Sequence, residues 1–377
     1  MSGERLTANP QQRHTRGGCT PPRSKHFPRP LDSRPEVFFY ATPTIQPTNK
    51  LTNKLTTAQQ TNNSWLCIGL DPVMGRLPKA VLASENPLLA FGRAIVEATA
   101  DLACAYKPNL GFWLAEGPAG LRALQYLIAS IPDHLPVILD GKFGDVGHTA
   151  AAYARAAFET LGVDAVTANP YLGLDALRPF LSSEGHGAFL LARTSNPSAP
   201  DLQDLLVHRP ERAGAGNPHP SPPPREEVHR PERAGAGNPH PSPPPRGEVH
   251  RPERAGAGNP HPIYGGALYE EVARLAVRWD AGHPGTCGLV VGATYPEELA
   301  RLRELAPDLP FLIPGVGTQG GSLEAAVAHG PTAGGLGPVI NSSRSILYAS
   351  SGPDFAGAAR AAALNLRDRI NQLQTQQ

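Results

Sequence analysis

The hexapeptide Asp140-Gly141-Lys142-Phe143-Gly144-Asp145 places two carboxylates and one ammonium directly behind the apolar run 135–139. A short apolar run bounded by Pro and Gly reads as a buried strand, so these charges sit at a strand's C-terminal end. Alternate residues of an extended chain share a face, which lets Asp140 and Lys142 enter one pocket. Flanking negative charge favours the protonated lysine. Such an array suits an anionic substrate and the delivery of a proton. The spacing D-x-K-x-x-D alone also fits a solvated ion-pair cluster, so the elements around it must decide between the two.

Those elements are short apolar runs alternating with helical stretches. Candidate strands cover 66–71, 104–109, 137–142, 165–170, 188–194, 288–294, 311–316 and 335–341, and segments such as 87–103, 150–161 and 296–305 have helical composition. Eight β–α units predict a closed parallel (β/α)8 TIM barrel. A doubly wound open sheet is the alternative, but no G-x-G-x-x-G opening turn accompanies it.

Two additions flank or interrupt this core of about 270 residues, close to the ~250 typical of such barrels. Residues 1–50 combine scattered Arg and Pro with no hydrophobic period, which predicts a disordered extension. The second is a tandem repeat over 207–262. V-H-R-P-E-R-A-G-A-G-N-P-H-P-S-P-P-P-R begins at Val207 and again at Val228, a 21-residue period, with a truncated copy from Val249. Each copy has too little apolar surface to be a solenoid unit and reads as a low-complexity Pro/Gly-rich insertion after the fifth strand. Its periodic histidines lack the Cys or acid cluster that would complete a metal site. The barrel domain is thus expected over 51–377, interrupted by the repeat.

Bulk properties narrow the function classes. The 377 residues carry a net charge of +1, which gives no electrostatic reason to expect nucleic acid as a partner. No apolar stretch reaches the ~18 residues of a membrane helix, and the N-terminus lacks a secretory h-region. Of the four cysteines, Cys67, Cys104 and Cys287 lie in or beside apolar runs and read as buried hydrophobes, and Cys19 lies in the extension. A reducing cytoplasm is the expected location.

In TIM barrels the site lies at the C-terminal ends of the strands. Read in order, those ends supply Asp71, then Lys107 and Asn109, then Asp140, Lys142 and Asp145, then Asn169, then Thr194, Ser195 and Asn196. The seventh strand runs into P-G-V-G-T-Q-G-G and the eighth into N-S-S-R with Arg344. Singly, the Asn-Pro and Asp-Pro pairs are turn formers and Lys107 a snorkelling lysine. Together they form a site at one end of the barrel. Gly315, Gly317, Gly320 and Gly321 leave backbone N–H groups open before a helix beginning near Ser322, and Arg344 adds a bidentate charge. A phosphate is therefore expected near strands seven and eight, with the reacting group near Lys142.

I-G-L-D-P, Y-K-P-N, D-G-K-F-G-D-V-G-H-T, T-S-N-P, P-G-V-G-T-Q-G-G and N-S-S-R, in this order, resemble orotidine 5′-phosphate decarboxylases of the bacterial type 2 branch. The resemblance spans about residues 55–370 apart from the repeat. It implies cofactor-free decarboxylation of orotidine 5′-monophosphate to UMP, in de novo pyrimidine synthesis, by a homodimer. It also implies roles: Asp140 facing the substrate carboxylate and Lys142 protonating C6. Asp145, with Thr149 nearby, would reach the other subunit's site. Asp71 and Lys107 would hold the ribose, Ser195 the pyrimidine, and Gln319 and Arg344 the phosphate beside Gly317. Family members usually carry Ala-type and Arg-type residues where this chain has Gly141 and Phe143. A Mg²⁺-dependent sugar-phosphate decarboxylase or aldolase of the same superfamily is the nearest alternative. A catalytically silent scaffold using P-S-P-P-P as an SH3-type ligand is the alternative from another class, and the intact charged residues argue against it.

Overall fold

The computed structural model describes residues 51–208, 264–316 and 320–376. The predicted extension over 1–50 and nearly all of the 207–262 repeat lie outside the described residues, as do Gly317 and Gln319. The described strands are β1 Leu66–Leu70, β2 Ala105–Pro108, β3 Ile138–Phe143, β4 Ala165–Ala168, β5 Gly187–Arg193, β6 Leu206–His208, β7 Tyr264–Ala267, β8 Thr286–Val291, β9 Phe311–Ile313 and β10 Val339–Ser342. Eight of them form one parallel sheet in the order β2-β1-β10-β9-β8-β5-β4-β3. Its two outer strands meet at parallel bridges Tyr106–Val137 and Asn109–Asp140, and Tyr106 N–H donates to Pro136 O at 2.9 Å. The sheet thereby curls into the expected eight-stranded barrel. All eight predicted strands are present, with ends displaced by a few residues.

Burial on both faces explains why these strands read as continuous apolar runs. Inside, Cys67, Ala105, Ile138, Ala165, Phe189, Val290, Leu312 and Val339 form one layer. Leu51 and Leu55 of the helix Leu51–Thr61 pack into it and stop the N-terminal mouth. Lys54 of that helix pairs with Asp164 at 2.5 Å, and Gln59 bonds both the carbonyl (2.9 Å) and the N–H (3.0 Å) of Gly337. Outside, helices such as Pro87–Thr99 and Gly117–Ile128 cover Leu66, Ile68 and Leu139. Asn86 caps the first of these by accepting from Leu89 N–H at 3.1 Å.

With one mouth stopped, the other is lined by polar residues. Two residues beyond Ala105, Ile138 and Ala165, on the same inward face, stand Lys107, Asp140 and Thr167. The strand periodicity converts an apolar layer into a polar one directly above it.

β6 and β7 form a separate antiparallel ribbon with Leu206 opposite Ala267 and His208 opposite Tyr264. His208 and Tyr264, on either side of residues 209–263, are therefore neighbours. The ribbon is not evident in the sequence, because Tyr264-Gly265-Gly266 reads as a turn; Gly266 indeed has φ +104°. Among the described residues, no helix is long and apolar enough to cross a membrane.

Candidate active site

Asp140 is the hub of the polar layer. Its Oδ2 accepts from Lys107 Nζ at 2.7 Å and more weakly from Asn109 Nδ2 at 3.4 Å. Its Oδ1 accepts from Lys142 Nζ at 2.7 Å and from Thr167 Oγ1 at 2.8 Å. Asp140 and Lys107 are only 9% and 4% exposed, whereas the Lys142 side chain is 51% exposed toward the open mouth. Asp140 and Lys142 share one pocket, as their spacing predicts, and Lys107 joins them from β2.

Burial pushes the Asp140 carboxyl up, but the charges and hydrogen bonds of Lys107 and Lys142 outweigh it and hold it well below the usual carboxylate range. Burial pushes Lys107 down, and the negative charges of Asp140 and Asp71 overcome this and raise it above the ordinary lysine value. Both members of the buried pair are therefore ionised at neutral pH. One carboxylate held between two ammonium groups can oppose an incoming anion while leaving the exposed ammonium available to give a proton.

The backbone around the array is unusual. Pairing between β3 and β4 runs Ile138–Ala165 and Leu139–Val166, then jumps to Phe143–Ala168. Asp140, Gly141 and Lys142 thus bulge opposite Thr167 alone. Lys142 takes φ +48°, a left-handed conformation that side chains with a Cβ rarely adopt. Gly141 is also required: a Cβ there would lie 2.5 Å from Cε2 of Phe143 and closer still to Cζ. The Phe143 ring is buried between Tyr153 and Phe180, with centroids 5.1 and 5.8 Å away. Phe143 occupies the space a methyl at 141 would need.

The remaining candidates are distributed around the same rim. Asp71 follows β1, and its Oδ1 is buried without a hydrogen-bond partner among the described residues. Asn341 of β10 has an Oδ1 in the same condition. Ser195 sits after β5 against Gly292, where an added Cβ would lie 3.0 Å from Ser195 Cβ. Its loop is held by Gln203, whose Oε1 accepts from Thr194 N–H at 2.9 Å. Arg193, 1% exposed, lies over the Tyr295 ring at 3.9 Å and pairs with Asp204 at 3.2 Å. The glycine turn after β9 bends at Gly315 (φ +96°) and Gly320 (φ +74°) and closes where Gly321 N–H donates to Gly315 O at 3.2 Å. Arg344 is exposed two residues beyond β10 and opens the short helix Arg344–Leu347. Asn169 accepts from Tyr171 N–H at 3.0 Å and serves as a turn cap.

Asp145 and Thr149 do not join the array. The Asp145 carboxylate accepts the N–H of Val146 at 2.7 Å. Thr167, Asn341 and Arg193 are the polar residues that the sequence did not single out. Two carried a visible signal: Arg193 is a charge closing the run G-A-F-L-L-A-R, and Asn341 opens the motif N-S-S-R.

An orotidine 5′-phosphate decarboxylase of Thermomicrobium roseum is 45% identical over 83% of this chain and 92% of its own length. The chain belongs to the orotidine 5′-phosphate decarboxylase family. The family described as Orotidine 5′-phosphate decarboxylase / HUMPS matches residues 64–217. A decarboxylase of the same name from Cellvibrio japonicus is 43% identical over 84% of this chain and 97% of its own. The solved OMP decarboxylase of Leishmania donovani superposes with a TM-score of 0.62 at 33% identity, covering 87% of this chain and 99% of the other.

Proposed function

We propose that this chain decarboxylates orotidine 5′-monophosphate to UMP and CO2, using Lys142 as the proton donor. The observation that carries this reading is the array at the open mouth: buried Lys107 and Asp140, with the exposed Lys142 ammonium 2.7 Å from the carboxylate. The family relationship supplies the substrate, and the Mg²⁺-dependent sugar-phosphate alternative finds no support in the relatives.

The C6–carboxylate bond breaks, its electron pair stays on C6, and CO2 leaves. A preplaced ammonium is complementary to the charge that develops there, and Lys142 then transfers its proton to C6 and is reprotonated from solvent. Asp140 opposes the substrate carboxylate and fixes both lysines. The unpartnered Asp71 Oδ1 suits a ribose hydroxyl donor, since a buried acceptor without a partner costs about 1–3 kcal/mol. Ser195 is assigned to the pyrimidine, and Gly317, Gln319 and Arg344 to the phosphate. None of these steps calls on a cofactor.

Asp145 and Thr149 are assigned to the site of a second subunit in a homodimer. The bond of Asp145 to the neighbouring Val146 N–H rather than to the array supports this, as do Val146, Tyr153, Tyr171 and Leu172, exposed on the segments after β3 and β4. An apolar surface of this kind suits a second copy. The barrel over 51–377 is assigned all of the chemistry, with residues 1–50 and the repeat as additions to it. A cytoplasmic location, in pyrimidine synthesis, fits the three buried free thiols Cys67, Cys104 and Cys287.

The test is ultraviolet-monitored loss of orotidine 5′-monophosphate by the purified full chain, with and without EDTA. Equal turnover in both is expected. No turnover, or turnover abolished by EDTA and restored by Mg²⁺, would overturn the assignment.

A further inference from the structure

The bulge beneath Lys142 has to be held in place, because φ +48° is a left-handed conformation that residues with a Cβ rarely adopt. The regular β3–β4 ladder does not do this, since its pairing skips from Leu139–Val166 to Phe143–Ala168. Thr167, the one β4 residue between those pairs, is 2% exposed, and its hydroxyl stands in for the missing ladder. It accepts from Lys142 N–H at 2.9 Å and donates to Asp140 Oδ1 at 2.8 Å. Asp140 Oδ1 in turn accepts from Lys142 Nζ at 2.7 Å. The ring of bonds ties the backbone of Lys142 to its own ammonium through one hydroxyl and one carboxylate oxygen.

We propose that Thr167 is a positioning residue of the reaction, its hydroxyl fixing the left-handed backbone of Lys142 so that the ammonium is aimed at the reacting carbon. This rests on the decarboxylase reading and extends it to a residue assigned no contact with substrate. A hydroxyl is needed because the position must accept from an N–H and donate to a carboxylate at once, and valine of the same shape does neither. Serine does both. β-branched strand residues are common, so a packing role is the competing explanation.

The experiment measures kcat and KM for orotidine 5′-monophosphate with Thr167→Val and Thr167→Ser in the full chain, with thermal denaturation of each. Thr167→Val should lose roughly 10–100-fold in kcat, as for one charge-assisted hydrogen bond, while KM changes by less than about threefold. Thr167→Ser should regain most of that loss. If Thr167→Val does not fold, Thr167→Ala deletes the hydroxyl without an added methyl and should show the same split. Wild-type kcat in a folded hydroxyl-less variant, or equal losses in the serine and valine variants, would overturn the positioning role. An inactive wild type would instead count against the decarboxylase reading itself.

Discussion

Adding one methyl at Gly141 should damage this barrel, and shortening Phe143 should repair it. A Cβ on Gly141 would lie 2.5 Å from Phe143 Cε2 and 3.0 Å from Cε1, against the ~3.5–4.0 Å of an ordinary carbon contact. The ring must therefore retreat by about 1 Å. It cannot do so freely, because Tyr153 and Phe180 hold it with centroids 5.1 and 5.8 Å away. Overpacking of this kind costs about 1–3 kcal/mol, or roughly 2–10 °C in Tm for a domain of this size. The displaced backbone lies between Asp140 and Lys142, and a misplacement of ~1 Å at a reacting group can cost on the order of 100-fold in rate. The assay is a double-mutant cycle of Gly141→Ala, Phe143→Leu and the pair, read by thermal denaturation and by kcat/KM. The double variant should be more stable and more active than Gly141→Ala alone, with a coupling of about 0.5–3 kcal/mol. Additive effects, or a Gly141→Ala variant indistinguishable from wild type, would show that the two positions do not compensate.

Asp140→Asn should cost about 3–5 kcal/mol in stability, because it leaves Lys107 buried and charged without its carboxylate; urea unfolding at neutral pH measures this. Because the folded pKa of Asp140 is depressed, its contribution is fully present above the unfolded carboxylate value of ~4 and is lost as pH falls below it. Wild type should accordingly lose more stability than Asp140→Asn between neutral pH and about pH 3 in matched urea titrations. Removing residues 209–250, two full periods, rejoins His208 to Arg251 and keeps both strands of the β6–β7 ribbon. The shortened chain should retain kcat/KM within about threefold, since loop-closure entropy changes slowly with length. A large gain or loss on this deletion would give the repeat a role in catalysis.

The barrel was legible because a closed parallel sheet buries both faces of every strand, so each appears as an uninterrupted apolar run. Lys107, Asp140 and Lys142 were legible because charges at the end of such runs have few other reasons to be there. Thr167 was not, since threonine in D-A-V-T-A is an ordinary strand residue until the register shift leaves it alone opposite the bulge. The strained φ of Lys142 and the Gly141–Phe143 contact likewise arise from tertiary packing rather than from local pattern. The β6–β7 ribbon was not legible because its strands are short and one contains two glycines, a composition that signals a turn.

Lys142 as the proton donor is tested most directly by comparing Lys142→Ala with wild type in single-turnover decarboxylation of orotidine 5′-monophosphate, following UMP. Wild type should convert the bound substrate completely. Loss of a positioned proton donor should slow Lys142→Ala by at least ~10²–10⁴-fold while the folded barrel persists. UMP formation by Lys142→Ala at the wild-type rate would contradict the mechanism.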